Sequence, residues 1–299
     1  MEFKRRINAD VAGSVAQLQA VMKKFLLKQK IYRILLRGKG LEFEAYRTYA
    51  PDDDSSTIDW KASKRSNSLL VKQFRDERNL KVVFIVDAGD NMIFGSQKKL
   101  KCEYAAELVA AFSHMIISTG DRAGIAFFSD EIKSFIKPGG GDKHFHRMID
   151  ILTDSATYGK PSNLRAGIDF AIDYLNKNID SVVLVSDFIN FDRTMVKPLA
   201  TLAAKFETVA LMVRDPLDDS MPKISSEFIL EDPTTGQQLL VNPKVASESY
   251  EKLAIKQKRL IKEVCASNNI DLLELSTNES LIPGLPEFLK GRAVKKRKK

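Results

Sequence analysis

KVVFIVD at residues 81–87 and SVVLVSD at residues 181–187 decide the fold. Each is an unbroken, β-branched apolar run that ends in an aspartate, and the first gives way at once to the turn residues Ala88-Gly89-Asp90-Asn91. A strand with water on one face alternates apolar and polar residues, so a continuous run predicts a strand covered on both faces, as inside a parallel sheet. TVALMVRD (208–215) has the same character and IDLLELS (270–276) reads as a further strand, while AGIAFFSD (123–130) and IKSFIKP (132–138) meet at Ser129-Asp130-Glu131, which predicts a hairpin. Helical spacing of apolar residues fills the gaps, at about 97–119, 142–153, 163–177, 194–206 and 245–268. Strands alternating with helices call for an α/β fold with a doubly wound, mostly parallel sheet of about six strands. An excursion at about 217–243 interrupts the alternation, where EFILED and QQLLVN flank Pro233-Thr234-Thr235-Gly236 as in a second hairpin.

Two segments precede the sheet. Val11, Val15, Leu18, Val21, Met22, Phe25 and Leu26 recur at three-to-four spacing, which predicts an amphipathic helix from residue 9 to about 35. Up to residue 79 the chain is mixed in charge and turn-rich and reads as an irregular arm, ending in the strand-like SLLVKQF at 68–74. The expected organisation is therefore a helix and arm (1–79), the sheet domain (80–289) and a tail (290–299).

Composition bounds the rest. With 299 residues, 44% of them hydrophobic, the chain can bury a sizeable core. The net charge of +8 comes from its end, where Lys290, Arg292, Lys295, Lys296, Arg297, Lys298 and Lys299 stand without an acid. Subtracting these seven from the 47 basic residues leaves 40 against 39 acids, so basicity belongs to the tail and not to the folded part. Such a tail can attract nucleic acid or another acidic surface. No stretch approaches the roughly 20 apolar residues of a membrane-spanning helix, and no apolar core follows MEFKRRINAD as a secretory signal requires. A cytoplasmic protein is expected. Cys102 and Cys265 lie far apart in helical segments without metal-ligand spacing, and read as buried apolar residues.

The strand-end acids carry the chemistry. In an open α/β sheet ligands sit beyond the carboxyl ends of the strands, where Asp87 and Asp187 should emerge from neighbouring strands. Asn91 and Ser162, the latter in GKPSNL before a helix, add oxygens there. Such a set suits a hard cation, Mg2+ or Mn2+. The alternative is that the acids cap turns and Ser162 or Asn163 caps the helix. His144 and His146 form an H-x-H whose members diverge if the segment is helical, and His114 lies within a long helix. Gly159-Lys160 lacks the upstream glycine of a phosphate-binding loop, and no G-x-S-x-G elbow is present.

The arm then narrows the choice. Arg47, Tyr49, Pro51, Asp53, Asp54, Ile58, Asp59, Trp60, Ser63 and Arg65, followed by VKQFRDER, resemble the signature of the MoxR-associated proteins with a von Willebrand factor A-like domain, the domain of unknown function fifty-eight. VSDF, RDPL and DPTTG resemble its later segments, so the likeness spans nearly the whole chain. The resemblance implies a sheet of von Willebrand factor A type and a metal-ion-dependent adhesion site, D-x-S-x-S with a later threonine and aspartate, falling here on Asp87, Gly89, Asn91, Ser162 and Asp187. Gly89 offers no hydroxyl, so the site is degenerate. Asp52, Ser56 and Lys64 also depart from the arm's pattern. Trp60 is expected to pack in a core, and Asp53, Asp54 and Asp59 with Arg47 and Arg65 to fasten the arm or to form a partner-docking surface. The implied function is a non-catalytic protein-binding module acting with a MoxR-type AAA+ ATPase on client proteins. The alternative from the residues is a divalent-metal-dependent nuclease or phosphohydrolase using Asp87 and Asp187, with the tail (Lys295, Lys296, Arg297, Lys298, Lys299) gathering substrate.

Overall fold

The structure, a computed structural model, describes residues 6–24, 42–50, 58–75, 79–222, 224, 226–231 and 236–279. The chain divides into two compact units, residues 39–79 and the remainder.

The first element, helix α1 (Val11–Lys24), belongs to the larger unit. The smaller unit is not the irregular arm the sequence suggested. Strand β1 (Glu42–Thr48) pairs antiparallel with β2 (Leu70–Arg75), Tyr46 opposite Lys72 and Thr48 opposite Leu70, and helix α2 (Trp60–Ser66) lies between them in sequence. Asp59 starts α2, its Oδ1 accepting the Lys61 and Ala62 amides at 3.0 and 3.1 Å while Tyr46 Oη donates to Oδ2 at 3.0 Å. The helix ends on Asn67, whose φ of 57° closes it in the left-handed conformation that asparagine tolerates. Trp60 is 68% exposed, contrary to the expected core anchor.

In the larger unit the six expected strands form one sheet. They are β3 (Lys81–Asp87), β4 (Arg122–Phe128), β5 (Ile132–Gly139), β6 (Ser181–Ser186), β7 (Glu207–Arg214) and β10 (Asp271–Ser276), in the order β10-β7-β6-β3-β4-β5. All neighbours run parallel except the edge pair β4–β5. Counted along the chain this is the doubly wound order 3-2-1-4-5-6, as expected for a sheet of von Willebrand factor A type.

The continuous runs are explained by alternation between two cores. Val82, Phe84 and Val86 face one core, Val83 and Ile85 the other, and each is at most 1% exposed. Burying a side chain of this size contributes about 1.5–3 kcal/mol. Helices α3 (Lys101–Ser118) and α4 (Asp142–Leu152) cover the first face, and α5 (Leu164–Tyr174), α6 (Val196–Lys205) and α8 (Pro243–Ser267) the second. Cys102 and Cys265 are buried, one in each core.

Helix α3 is buried on nearly every side because α1 lies across its outer face. Two carboxylates within α3 hold α1 in place. Glu107 accepts the Asp10 amide at 2.7 Å and the Ser14 hydroxyl at 2.9 Å, and Glu103 accepts the Asn8 amide at 2.9 Å. Acids at these points answer the unpaired amides and positive dipole end of α1.

The excursion before α8 consists of a short helix, α7 (Pro216–Asp219), and the expected hairpin, β8 (Phe228–Glu231) against β9 (Gln238–Val241), with Ile229 opposite Leu240. No helix among the described residues is long and apolar enough to cross a membrane.

Candidate functional site

The sheet order reverses between β3 and β6, since the chain leaves β3 for β4 on one side and returns to β6 on the other. Loops diverge there and leave a crevice beyond the carboxyl ends of the strands. Asp87 and Asp187 both reach this crevice, but not level with each other. Val86 pairs with Val185, which sets Asp87 beside Ser186 and carries Asp187 one residue further.

Asp87 is fully buried and accepts four hydrogen bonds. The Gly89 amide reaches Oδ1 at 2.9 Å, while Ser186 Oγ, Ser162 Oγ and Asn91 Nδ2 reach Oδ2 at 2.7, 2.8 and 3.2 Å. Burial, and secondarily the charge of Asp187, push its carboxyl up to about 6 against the downward pull of these donors. Ser162 therefore serves Asp87 and does not cap α5, whose cap position is Asn163 without a side-chain bond.

Asp187 has a different neighbour. Its Oδ1 accepts the Ile189 amide at 3.0 Å, and its Oδ2 accepts Lys101 Nζ at 2.7 Å. Lys101 opens α3 and is 1% exposed. The ammonium also lies 3.0 and 3.2 Å from Asp218 Oδ2 and Oδ1. Burial alone would lower the lysine's pKa, but the two carboxylates outweigh it and raise it. Asp218 is aimed by its own short helix. Asp215, also fully buried, receives the Leu217 amide at 2.9 Å, the Ser96 amide and hydroxyl at 2.8 and 2.6 Å, and Thr277 Oγ1 at 3.0 Å. In return the Asp215 amide donates to Asp218 Oδ2 at 2.8 Å.

Phe188, next to Asp187, is buried in the second core with φ of 56°, a conformation that is strained for an aromatic side chain. Its amide donates to Ser186 Oγ at 3.1 Å, so the hydroxyl that serves Asp87 also holds this turn. Strain of this kind costs about 1–3 kcal/mol and persists where surrounding contacts impose it.

The divalent ion implied by the resemblance can be tested against these residues. Asn91 Oδ1 is buried without a hydrogen-bond partner and is an available oxygen. The others are committed: both Asp87 oxygens accept donors, and Asp187 Oδ2 faces an ammonium. A Cβ on Gly89 would lie 2.5 Å from Asn91 Oδ1 and Ser162 Cβ, so the missing serine has no room. Among the described residues no group of three or more His, Cys, Asp or Glu is placed to hold a metal ion. These residues do not fit a hexacoordinate hard cation.

Beside the network opens a cavity of about 290 Å³, with Asn91, Phe94, Lys101 and Asp218 on its walls and Phe228 and Leu230 of the hairpin at its rim. Of the hairpin's other apolar residues Val241 is buried, while Ile229, Leu239 and Leu240 face solvent. Ile229 is 62% exposed and Leu240 65%.

Of the remaining sequence candidates, the histidines lie on the helices of the first face. His144 Nε2 donates to Ala123 O (2.7 Å) and His146 Nδ1 to Asp142 O (2.7 Å), so the H-x-H diverges on α4 as expected. His114 meets Phe145 edge-on at 5.3 Å between ring centres. Tyr49, Asp59, Trp60, Arg47 and Arg65 belong to the smaller unit. Asp53, Asp54 and the basic tail lie outside the described residues. Sequence reading missed Lys101, Ser186, Asp215 and Asp218.

Residues 45–260 match the family described as protein of unknown function DUF58. An uncharacterized protein of Mycobacterium tuberculosis is 24% identical over 263 residues, which cover 86% of this chain and 81% of that protein. Among solved structures, the conserved hypothetical protein BatB from Bacteroides thetaiotaomicron aligns with TM-score 0.45 and 13% identity, over 74% of this chain and 100% of that one. The SpRpn10 VWA domain aligns with TM-score 0.39 and 10% identity, over 72% and 95%.

Proposed function

The chain belongs to the DUF58 family, and from that premise we propose that it is a protein-interaction module which works in the cytoplasm with a MoxR-type AAA+ ATPase on client proteins. The observation that carries this reading is the hairpin at the rim of the cavity. A two-stranded hairpin is marginally stable by itself, and this one turns three of its large apolar side chains to solvent while Val241 is buried. Ile229 and Leu240 stand opposite each other, hence on one face, with Leu239 (65% exposed) on the other. Helix α8, which begins two residues after β9, adds Val245, 78% exposed. Several exposed large apolar residues on neighbouring elements mark a surface that another polypeptide covers.

The polar network behind the rim supports the same reading. Asp87, Asp187, Asp215 and Asp218 spend their oxygens on backbone amides, hydroxyls and one ammonium, which rigidifies the loops around the cavity. A rigid rim loses less conformational entropy when it binds.

Co-purification with the tagged full-length chain tests both parts of the proposal. An AAA+ ATPase should be recovered, and Ile229→Ser with Leu240→Ser should reduce its recovery at least tenfold while shifting stability by only about 0.5 kcal/mol, as exposed substitutions do. Recovery of no ATPase overturns the partner. Undiminished recovery by the double variant overturns the surface.

A further inference from the structure

We infer that Lys101 is the cation of the strand-end site, a tethered ammonium that occupies Asp187, a carboxylate a divalent ion would need, so that the rim of the cavity keeps its shape without metal. The seat is built from three separate elements. Asp187 follows β6, Asp218 lies within α7, and Lys101 opens α3; Nζ lies 2.7 Å from Asp187 Oδ2 and 3.0 and 3.2 Å from the two Asp218 oxygens.

An ammonium has three donors and no acceptor, and here the donors face two carboxylates at the distances of charge-assisted hydrogen bonds. The Phe94 ring, its centre 5.5 Å from Nζ, adds a cation–π contact. Asp218 is not among the residues of the adhesion pattern, and it is oriented by the Asp215 amide, so this partner is held independently of Asp87.

The geometry also explains the altered residues. A Mg2+ ion binds oxygen at about 2.0–2.1 Å. On Asp187 Oδ2 it would share one carboxylate oxygen with an ammonium already 2.7 Å away, and two cations would crowd there. With the positive charge supplied internally, a hydroxyl at position 89 has no ion to ligate. The space is filled instead by Asn91 and Ser162.

The experiment uses the purified full-length chain. Mn2+ added to the parent protein should leave the amide signals of Gly89, Phe188 and Ile189 unbroadened, and its melting temperature should be the same in EDTA and in Mn2+ or Mg2+. Lys101→Gln removes the charge and leaves Asp187 and Asp218 facing the seat, and Mn2+ should then raise its melting temperature and broaden those signals. Selective broadening in the parent, lost in Asp187→Asn, overturns the inference. So does a folded Lys101→Gln protein with no response to Mn2+. If Lys101→Gln does not fold, the parent measurement decides alone.

Discussion

Lys101 is the residue on which the strand-end network turns. Lys101→Met should destabilise the larger unit by about 3–5 kcal/mol, since it leaves two buried carboxylates without their counter-ion. The urea midpoint should fall accordingly, with an unchanged slope. Gly89→Ser should be destabilising too, by about 1–3 kcal/mol. The added Cβ meets Ser162 Cβ at 2.5 Å and the Ser162 backbone at 2.8 Å. A stability gain on adding Mg2+ to that variant would contradict the reading of position 89 as a closed one. Asp87, Asn91, Ser162 and Asp187 were legible in the sequence because each follows an apolar strand or precedes a helix at the sheet's carboxyl end. Ser186 stood in plain view as the one polar residue before Asp187, yet only the offset register shows that it, and not Asp187, lies beside Asp87. Lys101 left a fainter signal. It opens KCEYAAELVAAF, a mostly apolar helix in which a buried charge must find a partner. That partner could not be read, because Asp218 is 117 residues away in sequence.

Elements were read best where burial on both faces writes an unbroken apolar run, as in β3, β6 and β7. Strand β1 shows the opposite case. Its pairing with β2 shifts between Phe43 and Ala45, and such an irregularity breaks the period of two on which recognition of EFEAYRT depends. Helix α2 is short enough to hide in a polar stretch and owes much of its definition to Asp59. Replacing Asp59 by alanine should remove the acceptor for two amides and cost about 1 kcal/mol. Faster amide exchange at Lys61, Ala62 and Ser63, with rates in β3 unchanged, would confirm it. Helix α1 was legible from spacing, but its seat on α3 was not. Glu103 and Glu107 look like solvent-facing charges until α1 covers them.

At the scale of the molecule, pH should reveal the buried acids. Asp87 is shifted from its ordinary 3.8 to about 6, and so is Asp121, by burial first and secondarily by Asp180. Between these values the folded chain holds protons that the unfolded chain has released, so stability is greatest below pH 4 for these two groups and falls as pH rises through 6. For fully buried Asp87 the loss is on the order of 3 kcal/mol. Chemical denaturation from pH 4 to 7, with carboxyl-carbon titration to assign the groups, checks the sign. A contribution that grew with pH over that interval would show that the hydrogen bonds to Asp87 outweigh its burial.

The distance in sequence between Lys101 and Asp218 also has a consequence for biosynthesis. At a ribosomal rate of about 5–20 residues per second, the 117 residues between them take roughly 6–23 s to emerge. Throughout that interval the nascent chain carries an α3 lysine whose second carboxylate has not yet been translated, so the crevice can lock only after most of the polypeptide has left the exit tunnel.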